Sequence, residues 1–114
     1  MARDAGELIP GTFEMLILKA LSLGAMHGWG IAERLDQWSE RVFQLGQGTL
    51  YPALYRLERQ GLIRSEWKVT ENNRRARFYR LTATGKRRLA TEVEWWRRTI
   101  GGVDNVLRAV AREN

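Results

Sequence analysis

The chain has 114 residues, 44% of them hydrophobic and 28% charged, the mixture of a single globular domain. With no Cys and one His, it excludes a disulfide framework, a thiolate zinc site and a Cys nucleophile, and leaves only His27 for a Ser-His triad. No run approaches the roughly 18 apolar residues of a membrane span, and the polar start, with Arg3, Asp4 and Glu7, lacks the apolar region of a signal peptide. A cytoplasmic protein with no membrane partner, metal or cofactor is therefore expected, and enzyme chemistry is the least favoured reading.

The net charge is +6, and 16 of the 19 basic residues are Arg. Between Arg56 and Arg88 eleven basic residues face only Glu58, Glu66 and Glu71, so this stretch carries +8 and the remainder is slightly acidic. Such a run is often only a solvated face, but it is also the footprint a polyanion selects. The order of elements gives it direction.

Residues 1–9 are short, polar and terminal, and are expected to be disordered. Thr12 is a plausible N-cap for a first helix whose Phe13, Leu16, Ile17, Ala20 and Leu21 form one stripe. Met15 and Leu18 fall off that stripe, which suggests a second apolar side facing another chain. Gly24 ends this helix. His27-Gly28-Trp29-Gly30 makes a tight connection to a second helix marked by Ile31, Leu35 and Trp38. Arg41 to Gly46 reads as a linker, with room for a short strand at Val42-Phe43.

Pro52 must lie in the first turn of a third helix, which puts the N-cap near Gly48 or Thr49 and the end near Gln60, before Gly61. At 100° per residue Leu50, Ala53, Leu54 and Leu57 share one side, while Pro52, Tyr55, Arg56 and Arg59 lie opposite with Tyr51 on the flank. Two strands follow, Ile63 to Val69 and Phe78 to Thr82, joined through the turn chemistry of Thr70-Glu71-Asn72-Asn73. From Ala83 the helical pattern returns. Leu89, Val93, Trp96, Ile100, Val103, Leu107 and Val110 are spaced alternately four and three apart, a heptad seam too long for so small a domain to cover alone. Gly101-Gly102 predicts a kink or break in it.

Three helices, a hairpin and a long helix make a mainly α chain with a two-stranded β-hairpin, in the order of a winged helix-turn-helix over residues 10–82 with a dimerisation helix over 83–114. A helix about 10–12 Å across fits the roughly 12 Å major groove of B-DNA. The residues free to reach bases are Thr49, Tyr51, Pro52, Tyr55 and Arg56. Gln47 and the unpaired first-turn N–H groups suit a phosphate. The hairpin arginines Arg74, Arg75 and Arg77 suit phosphates or a minor groove, although one of them has Glu71 within reach.

The run Gly48-Thr49-Leu50-Tyr51-Pro52-Ala53-Leu54-Tyr55-Arg56-Leu57-Glu58-Arg59-Gln60-Gly61-Leu62-Ile63, then Trp67, Arg74 to Thr82 and Gly85, resembles the signature of the PadR family of bacterial transcriptional regulators. His27 to Ala32 resembles that family's opening of the second helix. The resemblance implies a homodimeric repressor that binds a pseudo-palindromic operator in double-stranded DNA, with the first and last helices of both subunits at the interface. It also implies a small aromatic effector stacked on a Trp of the last helix, which Trp96 matches, with Met15 nearby. The expected interface is thus Met15, Leu18, Leu89, Val93, Trp96, Ile100, Val103 and Leu107.

Alternatives stand beside each of these. Trp96 fits an interface core as well as an effector platform. Trp29, Trp38 and Trp67 are simplest as core residues, and His27 as a residue of the connection. Tyr51 and Tyr55 have the option of packing on the wing. The cations Lys86, Arg87 and Arg88 sit at the positive end of the last helix, which suits an external anion. A module docking an acidic protein, and more remotely an RNA binder, are the competing functions.

Overall fold

The computed structural model describes residues 11–112, so the expected disordered tail over 1–9 lies outside the described residues. The elements in chain order are α1 (Thr12–Ser22), β1 (Met26–His27), α2 (Gly28–Trp38), α3 (Gln47–Arg59), β2 (Ile63–Val69), β3 (Arg75–Leu81) and α4 (Ala83–Leu107). Gly11, at φ 88°, takes the N-cap position of α1, and Thr12 is instead its first, buried residue. The reason is conformational: a left-handed entry suits the residue without a Cβ.

The three strands form one antiparallel sheet in the order β1-β3-β2. β1 pairs Met26 with Tyr79 and His27 with Phe78, a third strand beyond the expected hairpin. Two residues are too few to show an alternation. No strand forms at Val42-Phe43. Glu40 and Arg41 adopt positive φ and turn the chain sharply after α2, and Phe43 closes edge-on against Phe13 of α1, ring centroids 5.9 Å apart.

Ile17, Leu18, Ile31, Leu54, Leu57, Leu62 and Ile63 form the sealed centre of the core, each less than 2% exposed or nearly so. Burying such a side chain contributes about 1.5–3 kcal/mol. α1 is the hub, packed against α2, α3, α4 and β3. That explains why it is apolar on several sides. Met15 is 8% exposed and Leu18 1%, so both are covered by their own chain and have almost no surface to offer a partner, contrary to the sequence expectation.

α3 ends in a Schellman arrangement. Gly61, at φ 74°, donates to the Glu58 carbonyl and Leu62 N–H donates to the Leu57 carbonyl, each at 3.0 Å. The same Leu62 anchors α4: its carbonyl accepts from the Thr82 backbone N–H at 3.1 Å and from the Thr82 hydroxyl at 3.0 Å. Thr82 also caps α4 by accepting from Gly85 N–H at 3.0 Å. A Cβ on Gly85 would collide with the Leu62 carbonyl oxygen and lie 2.8 Å from Leu81 Cδ1, so only glycine permits this contact.

α4 runs unbroken through Gly101-Gly102. Once nucleated, a helix gains a hydrogen bond for each added residue, and here that outweighs the weak propensity of the pair. Leu89 packs on the core, Val93 and Trp96 are half-buried, and exposure then climbs from 37% at Ile100 to 77% at Leu107. The projecting helix makes the molecule 71 Å long and only 33 × 20 Å in the other directions.

Candidate nucleic-acid interface

α3 buries Leu50, Ala53, Leu54 and Leu57 and leaves Gln47, Thr49, Tyr51, Pro52, Tyr55, Arg56 and Arg59 on its exposed side, as the helical spacing requires. The helix starts earlier than expected, at Gln47, with Gly46 as N-cap and no side-chain cap. Thr49 N–H donates to the Gly46 carbonyl at 3.1 Å, and Gln47 and Gly48, both exposed, are the first-turn positions where an anion can take the place of the absent cap.

Tyr51 leans on the start of α2. A Cβ on Gly28 would stand 3.0 Å from Tyr51 Cε1, so glycine there leaves room for the ring. The next residues of the connection are equally specific. His27 caps α2, its Nδ1 accepting from Gly30 N–H at 2.9 Å, and its ring stacks on Trp29 at 5.5 Å and meets the edge of Phe78 at 5.4 Å.

The three tryptophans expected in the core lie outside it: Trp29 is 65% exposed, Trp38 47% and Trp67 56%. Two of them have polar partners at the surface, Trp29 the His27 imidazole and Trp67 a pair of guanidinium groups. Trp38 instead lines an apolar groove between α1 and α2 with Leu16, Leu23, Leu35 and Phe43.

The arginines divide into held and free. Arg56 binds Glu14 of α1 through Nε at 3.0 Å and Nη2 at 2.7 Å, and so is tied down where the sequence reading left it open. Arg77 donates from Nε to Ser65 Oγ at 2.7 Å and lies 3.6 Å from Glu58 Oε2, while Ser65 donates to the same Glu58 oxygen at 2.6 Å. These contacts brace the wing against α3. Among the described residues no carboxylate pairs with Arg74, Arg75 or Arg59, nor does Glu71 take any of the hairpin arginines. Arg59, outside the expected base-reading set, lies over the Tyr55 ring at 5.8 Å.

A groove between α3, the start of α2 and the wing gathers Tyr51, Trp67, Arg74, Arg75 and Arg77. Beneath it Tyr79 is 7% exposed, and burial raises its hydroxyl pKa above the usual 10.0, a shift the nearby Arg77 charge partly opposes. The wing tip is shaped by Asn73 at φ 58°, with Asn73 N–H donating to the Thr70 carbonyl at 2.9 Å. Trp96, Ile100, Val103 and Leu107 share a separate shallow groove along α4, floored by Gly101. Among the described residues no cluster of His, Asp or Glu fits a metal ion, and no helix is long and apolar enough to cross a membrane.

A three-helix unit whose third helix presents an aromatic and cationic face beside an arginine-bearing hairpin is a winged helix-turn-helix. Residues 17–91 match the transcriptional regulator PadR-like family. A transcriptional regulator of Mycobacterium tuberculosis is 39% identical over 67 residues, and the match spans 59% of this chain and 59% of that one. The crystal structure of a PadR family transcriptional regulator from Eggerthella lenta superposes with a TM-score of 0.76 at 31% identity, covering 88% of this chain and 85% of that chain. One from Clostridium difficile gives 0.74 at 30% identity, covering 85% and 99%. The chain belongs to the PadR-like family of transcriptional regulators, whose members bind DNA and are not enzymes.

Proposed function

We propose that the chain is a homodimeric repressor that reads a pseudo-palindromic operator. In this reading α3 enters the major groove with Thr49, Tyr51, Pro52 and Tyr55 toward the bases, and Gln47 with the first-turn amides holds a phosphate. The wing arginines Arg74 and Arg75 grip the neighbouring backbone. Arg77 supports the wing from α3, and Arg56 joins only if it leaves Glu14.

The observation that carries the reading is the presence of two exposed surfaces on one chain: the aromatic and cationic face of α3 with its wing, and the apolar seam of α4. Leu89 begins that seam against the chain's own core, Val93 and Trp96 follow half-buried, and Ile100, Val103 and Leu107 continue it outward. A second copy supplies the cover. Residues 10–82 then act as the DNA-binding unit and 83–114 as the dimerisation unit, and the protein works in the cytoplasm, beside the chromosome. A small aromatic effector stacked on Trp96 releases the operator.

The test is a titration of duplex from the DNA flanking its own coding region at two salt concentrations, with sedimentation of the free protein. Expected are a dimer, preference over random duplex, and log K falling steeply with log salt, by about 0.9 for each phosphate neutralised. A monomer, or a shallow slope with no preference, overturns the reading.

A further inference from the structure

On the wing, Trp67 and Arg77 are direct cross-strand partners, and Arg75 is diagonal to Trp67 on the same face. Both guanidinium groups lie over the indole, Arg75 at 5.2 Å and Arg77 at 5.8 Å from the ring centroid. The two cations differ in what holds them. Arg77 is fixed to α3 through Ser65 and Glu58, whereas Arg75 has no carboxylate partner among the described residues. The ring itself is 56% exposed, so apolar burial does not account for a tryptophan here.

We propose that Trp67 is a positioning residue for DNA binding, carrying the order of the Glu58–Ser65–Arg77 brace outward to Arg75 so that its free charge meets a phosphate already oriented. The physical basis is twofold. A cation over an indole face is held by the ring quadrupole, and a long side chain ordered before binding loses less rotamer freedom on contact. The brace spends Arg77's charge inside the protein and leaves Arg75's charge for the ligand. This role rests on the DNA-binding reading above, and its test separates the two.

Because phosphate contacts carry no sequence information, a random-sequence duplex at low ionic strength is a sufficient probe. Trp67→Leu, which keeps apolar bulk but removes the π face, is expected to weaken duplex binding roughly 2- to 10-fold. Trp67→Phe restores most of it. The loss disappears when Trp67→Leu is made in an Arg75→Ala background, and the thermal midpoint of each variant stays near that of the parent chain. In the free protein, the Arg75 Nε–Hε NMR signal is shifted upfield by the ring in the parent and in Trp67→Phe, and not in Trp67→Leu.

An unchanged affinity in Trp67→Leu, a loss that persists without Arg75, failure of Trp67→Phe to rescue, a fall in thermal midpoint that accounts for the loss, or an unshifted Arg75 signal in the parent would each overturn the role. If the parent chain binds no duplex while the Arg75 signal stays shifted, the DNA-binding reading falls and takes the role with it, leaving the stack intact.

Discussion

The Arg56 guanidinium closes on the Glu14 carboxylate at 2.7 Å, so α3 is tied to α1 by a cation taken from its own exposed side. The pair is open to water, with the Arg56 side chain 54% exposed, and exposed pairs of this kind contribute about 0.2–1 kcal/mol. A phosphate can compete for such a cation.

Glu14→Gln is therefore expected to raise affinity for random duplex by about 2- to 5-fold, with a salt slope steeper by about 0.9, and to change stability by less than about 1 kcal/mol. Arg56→Ala in the parent chain lowers affinity little. Fluorescence anisotropy at several salt concentrations checks both. An unaltered slope in Glu14→Gln would place Arg56 beyond reach of the duplex.

Two glycines of α4 behave oppositely. Gly85→Ala drives a methyl group into the Leu62 carbonyl, and the forced backbone shift is expected to cost about 3 kcal/mol. Gly101→Ala has nothing within 4 Å and gains roughly 0.5–1 kcal/mol from helix propensity. Urea denaturation of the two variants side by side measures the contrast, and equal effects would contradict it.

Burial holds the Tyr79 hydroxyl in its neutral form, so its pKa is higher folded than unfolded. The sign follows from proton counting: the contribution is fully present below pH 10.0 and is lost as pH rises through the folded value, because the unfolded chain ionises first. Tyr79→Phe is expected to lose less stability than the parent between pH 9 and pH 11. Denaturation midpoints at the two pH values test this, and parallel losses would show that Tyr79 does not contribute.

Ile100 is 37% exposed on the seam, so the chain does not need it for its own core. Ile100→Arg is expected to leave the thermal unfolding of the winged helix intact while shifting sedimentation toward monomer, since a cation placed in an apolar interface loses hydration without gaining a partner. A dimer unaffected by the substitution would remove α4 from the interface.

Much of this was legible in the sequence because helical periodicity is a burial signal. Leu50, Ala53, Leu54 and Leu57 lie inside as their spacing predicts, and Tyr51, Tyr55 and Arg59 outside. Where the outcome depended on a partner rather than on periodicity, the sequence misled. Trp29 and Trp67 are large and apolar enough to suggest a core, yet the imidazole two residues before Trp29 and two guanidinium groups from the strand facing Trp67 lie against them at the surface. Arg56 sits on the expected side of its helix, but nothing local to it reveals Glu14, 42 residues away. Met15 and Leu18 suggested a second chain because a helix surrounded by its own fold and one shared between chains have the same composition.

The contact of Gly85 with Leu62 has a mechanical consequence. α4 leaves that joint as a rod of about 37 Å at 1.5 Å per residue, so swinging its far tip by about 3 Å turns the base through only about five degrees. The base shares Leu62 with the last turn of α3 and has no room for a methyl group, let alone slack. The start of α4 and the last turn of α3, the helix that carries Tyr51 and Tyr55, therefore meet at one peptide, that of Leu62.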